Sequence, residues 1–238
     1  MSNRVGINLA AAVLNPLLRS DASKPRITYY DDATGERIEL STATFANWAA
    51  KTGNLLRDEM GAVAGSRVAV LLPAHWQTAA VVFGAWWIGA EVVVGGGQSA
   101  DVVTCTAERI AEADADEVVV LSLDPFGKPV DDLPVGVTDY ATSVRGQADQ
   151  ITAEQAPGPA LAGRYPDDVL VASTDSAAAQ GISGGSRVLS TKEWATDTAL
   201  VDGLLAVFAV GASLVQVAHP EPSAMARHRA TENVTVTL

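Results

Sequence analysis

Two short apolar runs flank a long apolar segment in the first half of the chain, and this pattern leads the fold prediction. Residues 67–73 are rich in β-branched side chains, which is typical of a parallel strand buried under helices. Residues 75–90 are apolar on nearly every side and are long enough for a buried helix. Residues 91–94 are again β-branched. These segments predict one strand-helix-strand unit, whose connection should be right-handed.

The residues before this unit predict a helix, a hairpin and a second helix. Residues 9–17 carry apolar side chains at helical spacing. Residues 27–30 and 37–40 are predicted to be the two strands of a hairpin, because residues 31–35 between them have turn chemistry. Ser41 then offers an N-cap to the second helix, which has one apolar face.

Strand and helix patterns continue to alternate through the rest of the chain. Predicted strands span residues 102–105, 117–121, 168–172, 187–190, 213–217 and 234–238, and residues 135–144 predict a strand and a turn. Predicted helices span residues 107–113, 191–210 and 222–230. Loops are expected at 124–134 and 173–186.

The alternation predicts an α/β fold with a mostly parallel sheet and flanking helices. Residues 1–238 are expected to form a single domain. The alternative is two lobes, at about 1–164 and 165–238, joined by a Pro/Gly/Ala-rich surface linker near 147–164 that contains Pro157 and Pro159.

The composition excludes several classes of protein. The chain has 238 residues, of which 48% are hydrophobic and 18% charged, which indicates a soluble globular protein. The formal net charge of −12 argues against nucleic acid and anionic membranes as partners, since both require a basic surface, and no membrane partner is expected. No apolar run reaches the ~20 residues of a membrane-spanning helix. Cys105 is the only cysteine, so neither a disulfide framework nor a metal cluster is expected, and the expected location is the cytoplasm.

The order of these motifs resembles the N-terminal part of the adenylate-forming enzymes, which include acyl-CoA synthetases, luciferases and the adenylation domains of peptide synthetases. Residues 27–48 resemble that family's opening hairpin and helix. Residues 65–73 are similar to its "GDRVAVLLP" strand, and residues 83–94 to its "GALKAGAVVVP" stretch. Residues 203–215 resemble a later helix-strand unit, after an apparent deletion. The resemblance implies an α/β domain related to enzymes that activate acids with ATP.

This chain departs from the family at the loop that binds ATP phosphates. The family's loop is rich in Ser, Thr and Gly and is followed by Pro-Lys-Gly, whereas residues 173–187 here lack the lysine and place Asp175 among the small residues. Arg187 could replace that lysine only in part, because Arg and Lys differ in geometry and hydration. The residues that the resemblance assigns to this degenerate phosphate site are Ser173, Thr174, Ser176, Gly181, Ser183, Gly184, Gly185 and Arg187.

The resemblance also implies what the sequence lacks for catalysis. The family's adenine motif, ribose-binding aspartate, hinge and C-terminal catalytic lysine would all follow Leu238. Without both lysines there is no evident means of stabilising charge during adenylation. We therefore expect no catalytic residue, no metal and no cofactor, and ATP or AMP binding is the alternative.

Three further patterns have alternative interpretations. Residues 181–185 fit the Gly-x-Ser-x-Gly nucleophile pattern, but a hydrolase elbow needs a strand before the serine and a helix after it. Residues 95–100 fit Gly-x-Gly-x-x-Ala, but a strand pattern follows where a dinucleotide site needs a helix. His75 lies at the carboxyl end of a strand, where ligands bind, although a structural role is favoured.

The first functional expectation is a non-catalytic protein that acts through a protein partner or through self-association as a homo-oligomer. The physical reason is that loss of the remaining part of an enzyme fold leaves apolar surface, which a partner would cover. Two alternatives remain open. One is a residual binder of a nucleotide or acyl-adenylate, and the other is a split enzyme that needs a second chain.

Overall fold

Two five-stranded sheets form the framework of the protein, whose computed structural model describes residues 6–155 and 158–238. Sheet A contains, in spatial order, β10 (Val236–Thr237), β8 (Arg187–Ser190), β9 (Ser213–Ala218), β1 (Pro25–Asp31) and β2 (Glu36–Ser41). Sheet B contains β4 (Glu91–Val94), β3 (Arg67–Leu71), β5 (Val102–Cys105), β6 (Glu117–Val120) and β7 (Val137–Asp139). Neighbouring strands are parallel throughout, except for the β1–β2 hairpin. The α/β fold with mostly parallel strands is therefore confirmed, in the form of two sheets.

Helices connect and cover these strands. They are α1 (Leu9–Asp21), α2 (Thr42–Asp58), α3 (Trp76–Trp87), α4 (Tyr140–Ser143), α5 (Pro166–Ala179), α6 (Asp197–Leu200), α7 (Ala206–Ala209) and α8 (Pro222–Thr231). A π-helical turn, Val201–Leu205, joins α6 to α7, and 3-10 turns span Ala107–Glu112 and Val144–Gly146. No helix in residues 6–155 and 158–238 is both long and apolar enough to span a bilayer.

Helix α3 is the centre of the hydrophobic core, as the sequence predicts. All of its side chains are buried, and it contacts β1 of sheet A as well as β3 and β4 of sheet B. Its Phe83 ring packs edge-to-face on Phe45 of α2, at a centroid distance of 5.4 Å, and Phe45 packs in the same way on Phe208 of α7. The apolar faces of three helices thus meet between the sheets, which fixes the position of the strand ends on either side.

Two glycines allow α2 and α3 to approach each other closely. A Cβ atom added at Gly84 would lie 2.8 Å from the Gly53 nitrogen and 2.9 Å from the Ala49 oxygen. These distances are too short for any side chain, so the helix backbones meet directly at this crossing.

The segment after residue 164 corrects the sequence prediction. Residues 168–172 were expected to be a strand and 173–186 a loop, but both expectations are wrong over 166–179, where α5 lies. Pro166 at the first helical position and Asp167 and Asp168 in the first turn favour a helix start. The helix predicted at 191–210 also begins later, at Asp197, where the Thr196 side chain caps it.

The stretch predicted as a surface linker, 147–164, is attached to the core in its described part. Ala160 and Leu161 are buried, and the Trp86 indole N–H donates a hydrogen bond of 2.7 Å to the Ala160 carbonyl. Leu161 forms a parallel bridge with Val92 of β4. The expectation of a surface position is therefore wrong for these two residues, whereas Pro157 lies outside the described residues.

The two sheets do not correspond to the two lobes, about 1–164 and 165–238, that the sequence offers as an alternative. Sheet A pairs β1 and β2, which precede that residue, with β8, β9 and β10, which follow it. Sheet B is built from residues 67–139 alone. A single sheet thus joins the two parts of the chain.

Candidate functional site

A cleft lies between the two sheets, at the carboxyl ends of their parallel strands. Strands β1, β8 and β9 of sheet A and β3 and β6 of sheet B all end at its walls, and the cavity measures about 840 Å³. Crevices outside the carboxyl ends of strands are where open α/β sheets bind ligands, and this volume suits a small molecule. We call this cavity the inter-sheet cleft. Its polar wall contains Tyr29, Asp31, Glu36, His75, Asp124, Glu193 and His219, together with Arg37, whose charge is paired with Glu39 and Glu232.

His75 is held in the wall by the start of α3. It is the N-cap residue, and its Nδ1 accepts a hydrogen bond of 3.1 Å from the Gln77 amide. The neutral ring therefore carries its proton on Nε2. Tyr29 packs edge-to-face on the ring at 4.3 Å, and only 2% of the side chain is exposed. Burial lowers the pKa of His75 to about 3, so the imidazole is neutral at physiological pH.

Glu36 faces His75 from the start of β2. Its Oε1 lies 4.0 Å from the His75 Nε2, and both atoms are buried without a hydrogen-bond partner. Burial raises the pKa of Glu36 to about 7, and the charges of Asp31 and Asp124 add to this effect. Buried polar atoms are rarely left unpaired in folded proteins, so this pair marks the wall as a place where a polar partner is missing.

Three further carboxylates give the cleft an acidic character. Asp31 lies 2.9 Å from the His219 ring nitrogen Nδ1. Asp124 accepts hydrogen bonds from the Phe126 and Lys128 amides, at 2.8 and 3.1 Å, and so shapes its own loop. Glu193 accepts from the Ala74 amide at 3.1 Å. Each carboxylate is fixed by a backbone or side-chain donor, so their negative charge is held at the cleft rather than pointing freely into solvent.

An aromatic pocket of about 420 Å³ adjoins the cleft. Pro125 and Phe126 line both cavities. Trp48 and Trp76 form its wall in an edge-to-face arrangement, with centroids 5.3 Å apart. The Trp76 indole Nε1 is buried and has no hydrogen-bond partner. We use the name aromatic pocket for this cavity, whose further aromatic residue is Tyr140.

The cations beside the aromatic pocket are already engaged by the protein. Lys51 Nζ donates to the Gln147 carbonyl at 2.6 Å and lies 2.8 Å from the Asp149 carboxylate. Arg145 donates to the carbonyl of Gly127. These cations hold loops in place, so the pocket itself presents mainly aromatic surface to a ligand.

A metal ion is not suggested by the described residues. Within 6–155 and 158–238, no group of three or more His, Cys, Asp or Glu side chains is arranged to hold one.

The residues predicted for a phosphate loop are not brought together. Ser173, Thr174 and Ser176 lie in α5, and their hydroxyl groups bond to Val169 O, Val171 O and the Asp202 carboxylate. The amides of a helix interior are used by the helix, so they cannot cradle a phosphate. The loop predicted over 173–186 is thus wrong for its first half.

The remaining predicted residues follow α5 in a short turn. Gly181 has a φ of +69°, which ends the helix, and the Ser183 amide donates to the Ser186 hydroxyl at 3.0 Å. Gly184 and Gly185 lie in the same turn, and a Cβ atom at Gly184 would be 2.8 Å from the Val210 oxygen. Arg187 begins β8, where Gly185 and Arg187 line another cavity on sheet A.

The Gly-x-Ser-x-Gly pattern at 181–185 and the Gly-x-Gly-x-x-Ala pattern at 95–100 are both followed by strands, as the sequence predicts. Ser183 follows a helix and precedes a strand, which is the reverse of a nucleophile elbow. Gly95 to Ala100 is followed by β5, with no helix to receive a pyrophosphate. Neither pattern forms the site that its motif would require.

Sequence reasoning placed His75 at the edge where ligands bind but favoured a structural role for it, and it missed the carboxylates of the cleft. Glu36 was placed in a hairpin, and Asp124 and Glu193 were assigned to a loop and a helix. Asp124 and Glu193 lie in the loops that follow β6 and β8, and Glu36 is the first residue of β2. For Asp124 and Glu193 that position was a usable signal, because the carboxyl ends of parallel strands meet at one edge, and Glu36 reaches the same edge because β2 is antiparallel to β1.

Comparison with known proteins defines the class of fold. An acyl-CoA synthetase of Brucella canis superposes with a TM-score of 0.80 at 17% identity, over 98% of this chain and 47% of that one. A benzoate CoA ligase from Burkholderia xenovorans LB400 gives 0.72 at 18% identity, over 97% and 50%. The N-terminal domain of FACL13 from Mycobacterium tuberculosis gives 0.71 at 16% identity, over 97% and 62%. The fold is thus that of the N-terminal part of acyl-CoA synthetases, and the chain spans about half the length of these enzymes.

A curated relative defines the family. No family model matches the chain. The TIGR03089 family protein of Mycobacterium tuberculosis (strain ATCC 25618 / H37Rv) is 61% identical over 238 residues, which cover 97% of this chain and 98% of that protein. The chain therefore belongs to the TIGR03089 family.

Proposed function

We propose that this protein binds a small organic molecule with a neutral or cationic polar group in the inter-sheet cleft, and that it does not form adenylates. The observation that carries the proposal is the convergence of five strand ends from two sheets on one acidic cavity of about 840 Å³. A ligand there would meet carboxylates on the cleft wall and aromatic rings in the adjoining pocket.

The charge of the cleft supports the neutral or cationic part of the proposal. Asp31, Asp124 and Glu193 surround the wall, and burial already raises the pKa of Glu36 to about 7. A further anion would be repelled by these groups, as one carboxylate repels another in a shared site. An adenylate carries a phosphate, so this wall is unfavourable for it. One of the similar structures, the anthranilate CoA ligase AuaEII, was solved with anthranoyl-AMP, and that ligand belongs to that protein.

The aromatic pocket supports the organic part of the proposal. Trp48, Trp76 and Tyr140 offer apolar surface beside the cleft, and the unpaired Trp76 N–H can donate to an acceptor on a ring. A ligand with one polar end and one flat apolar end would fill both cavities.

Three probes that share one ring test the charge preference. We would titrate benzylamine, benzamide and benzoate, with magnesium-ATP as a fourth arm, by isothermal calorimetry near neutral pH. The proposal predicts that benzylamine and benzamide bind more tightly than benzoate and that ATP does not compete with them. Tighter binding of benzoate, or competition by ATP, would contradict it.

A conservative substitution in the cleft tests the location. Asp124→Asn keeps the oxygen that accepts from the Phe126 and Lys128 amides while removing the charge. It should weaken benzylamine binding about fivefold, since a partly exposed ion pair contributes about 1 kcal/mol. Benzamide affinity should change little. Asp175→Asn on the exposed side of α5 is the matched control and should alter neither probe.

Self-association, a protein partner and a cytoplasmic location stay predictions. Exposed large apolar side chains come from separate parts of the described chain: Ile7, Val63, Phe126, Val135, Tyr165 and Val171. Sedimentation velocity across a wide concentration range measures the oligomeric state directly. A monomer at every concentration would exclude the homo-oligomer.

A further inference from the structure

A second cavity lies on the face of sheet A that points away from the inter-sheet cleft. Side chains alternate along a strand, so Tyr29 and Ile38 face the cleft while Thr28 and Glu39 face the other side. On that other side, a cavity of about 380 Å³ opens near the start of β1, β8 and β9. We call it the basic pocket. Its charged residues are Lys24, Arg37, Glu39, Arg187 and Glu232.

Two glutamates form ion pairs with two arginines in the basic pocket. Arg187 Nη2 lies 2.5 Å from Glu232 Oε2 and 3.5 Å from Glu39 Oε2. Arg37 Nη2 lies 2.9 Å from each of the same two carboxylates. Glu232 and Arg187 are 4% and 13% exposed, whereas Arg37 and Glu39, at 42% and 33%, reach the solvent. The charges of the two glutamates are thus balanced by the two arginines, and Tyr30 and Thr28 also donate to them.

Two further cations lie beside this balanced network. Lys24 lines the pocket and forms no salt bridge with any described residue. Arg26 is 1% exposed and donates to the Thr42 hydroxyl and the Ala212 carbonyl rather than to a carboxylate. Burial lowers the pKa of Arg26 to about 10, and the charge of Arg187 lowers it further, while the exposed Asp21 opposes the shift. Positive charge therefore exceeds negative charge here, in a chain of net charge −12.

One donor in the pocket has no acceptor. Arg187 Nη1 is buried and makes no hydrogen bond, although Nη2 of the same group makes several, including one of 2.7 Å to Thr28 Oγ1. An unpaired buried donor costs more free energy when its group is charged. A guanidinium presents its donors as a planar fork, which matches two oxygens of one anion.

We propose that the basic pocket binds a phosphate group, with Arg187 and Lys24 as the residues that contact it. The surplus of positive charge and the unpaired Nη1 supply the two things that a phosphate needs, which are charge and directed donors. Arg187 Nη1 is buried, so the side chain must rotate to bring it to the ligand, and because the guanidinium is a rigid plane this rotation also changes its contact with Glu232. Gly185 lies at the rim, where the absence of a side chain leaves room. This inference does not depend on the ligand of the inter-sheet cleft.

Calorimetry and phosphorus NMR with two probes test the inference. Inorganic phosphate and phenyl phosphate distinguish a free anion from an organic phosphate. Equal affinities would support a site for the free anion, and binding of phenyl phosphate alone would support a site for a phosphomonoester. Absence of binding for both up to about 10 mM, equivalent to less than about 3 kcal/mol of binding free energy, would overturn the proposal.

Variants assign the binding to this pocket. Lys24→Gln removes a cation that forms no salt bridge with a described residue, so the fold should be kept, and the phosphate affinity should fall about fivefold. Arg187→Gln should abolish binding, but it also leaves Glu232 with one arginine fewer. Lys128→Gln, the same charge change in an exposed loop of the other sheet, should leave the affinity unchanged. Equal affinities for Lys24→Gln and the unaltered protein would contradict the assignment.

Discussion

Glu36 Oε1 and His75 Nε2 face each other at 4.0 Å in the wall of the inter-sheet cleft, and neither atom has a hydrogen-bond partner. An N–H···O bond would require them to be about 1 Å closer. Burial keeps the imidazole neutral and raises the pKa of the carboxyl group, so both groups resist ionisation. The free energy of unfolding should therefore depend on pH through the protonation of these two residues of the cleft.

Glu36→Gln should make the protein more stable above neutral pH. The pKa of Glu36 is about 7 when folded and about 4.5 when unfolded, so the folded state holds the proton more firmly. Stability is then lost as the pH rises from about 4.5 to about 7, by at most about 3 kcal/mol. The Glu36→Gln variant has no carboxyl group to ionise at this position, so it should not lose this stability as the pH rises.

Urea denaturation at a series of pH values measures the effect. Asp175→Asn, an exposed acid changed in the same way, is the control and should follow the unaltered protein. Parallel curves for Glu36→Gln and the unaltered protein between pH 5 and pH 8 would show that Glu36 does not titrate as described.

His75→Asn should reduce the loss of stability in acid. The pKa of His75 is about 3 when folded and about 6.5 when unfolded, so its contribution is complete above pH 6.5 and is lost as the pH falls toward 3. Asn keeps a side-chain oxygen for the N-cap of α3 but does not titrate. The unfolding free energy of the variant should therefore depend less steeply on pH between 6 and 4. An unchanged slope in that range would contradict the prediction.

Gly84→Ala should destabilise the protein by about 1–3 kcal/mol, because its Cβ would press on the backbone of α2. The contact atoms include the Gly53 nitrogen at 2.8 Å, and backbone cannot turn aside as a side chain can. Chemical denaturation measures the change. Gly146→Ala is the control, since nothing lies within 4 Å of its added Cβ. Equal stability of the two variants would mean that α2 and α3 are not in direct backbone contact.

Much of the fold was predictable because local signals agreed with the tertiary structure. Ser41 caps α2 through the Thr44 amide, as its position predicts, and the residue pairs of the β1–β2 hairpin follow the predicted turn. Helix α3 is buried on all sides, as its apolar pattern indicates. In these cases capping, turn chemistry and periodicity all favour the same element.

The wrong prediction at α5 has a local cause. Residues 168–172 read Asp-Val-Leu-Val-Ala, and a short apolar run of this kind is compatible with either a strand or a helix. The helix is favoured by Pro166 and Asp167, which are typical of a helix start, and by the alanines that follow, which have high helix propensity.

The candidate site was less predictable than the fold because its residues are distant in sequence. Glu36, His75, Asp124 and Glu193 follow or precede four different strands, and only the packing of two sheets brings them to one wall. A single sequence carries no direct information on that packing. The raised pKa of Glu36 likewise arises from burial that no local pattern specifies.

The measurement that tests the central claim most directly is a ¹H–¹⁵N NMR titration with benzylamine and, in parallel, with AMP. The account predicts that benzylamine shifts amides around the inter-sheet cleft, at Gly35, His75, Leu123 and His219, in a saturable manner. AMP should leave these amides unchanged. Saturable shifts at the same amides with AMP, together with no response to benzylamine, would contradict the account and would restore the nucleotide as the ligand of the cleft.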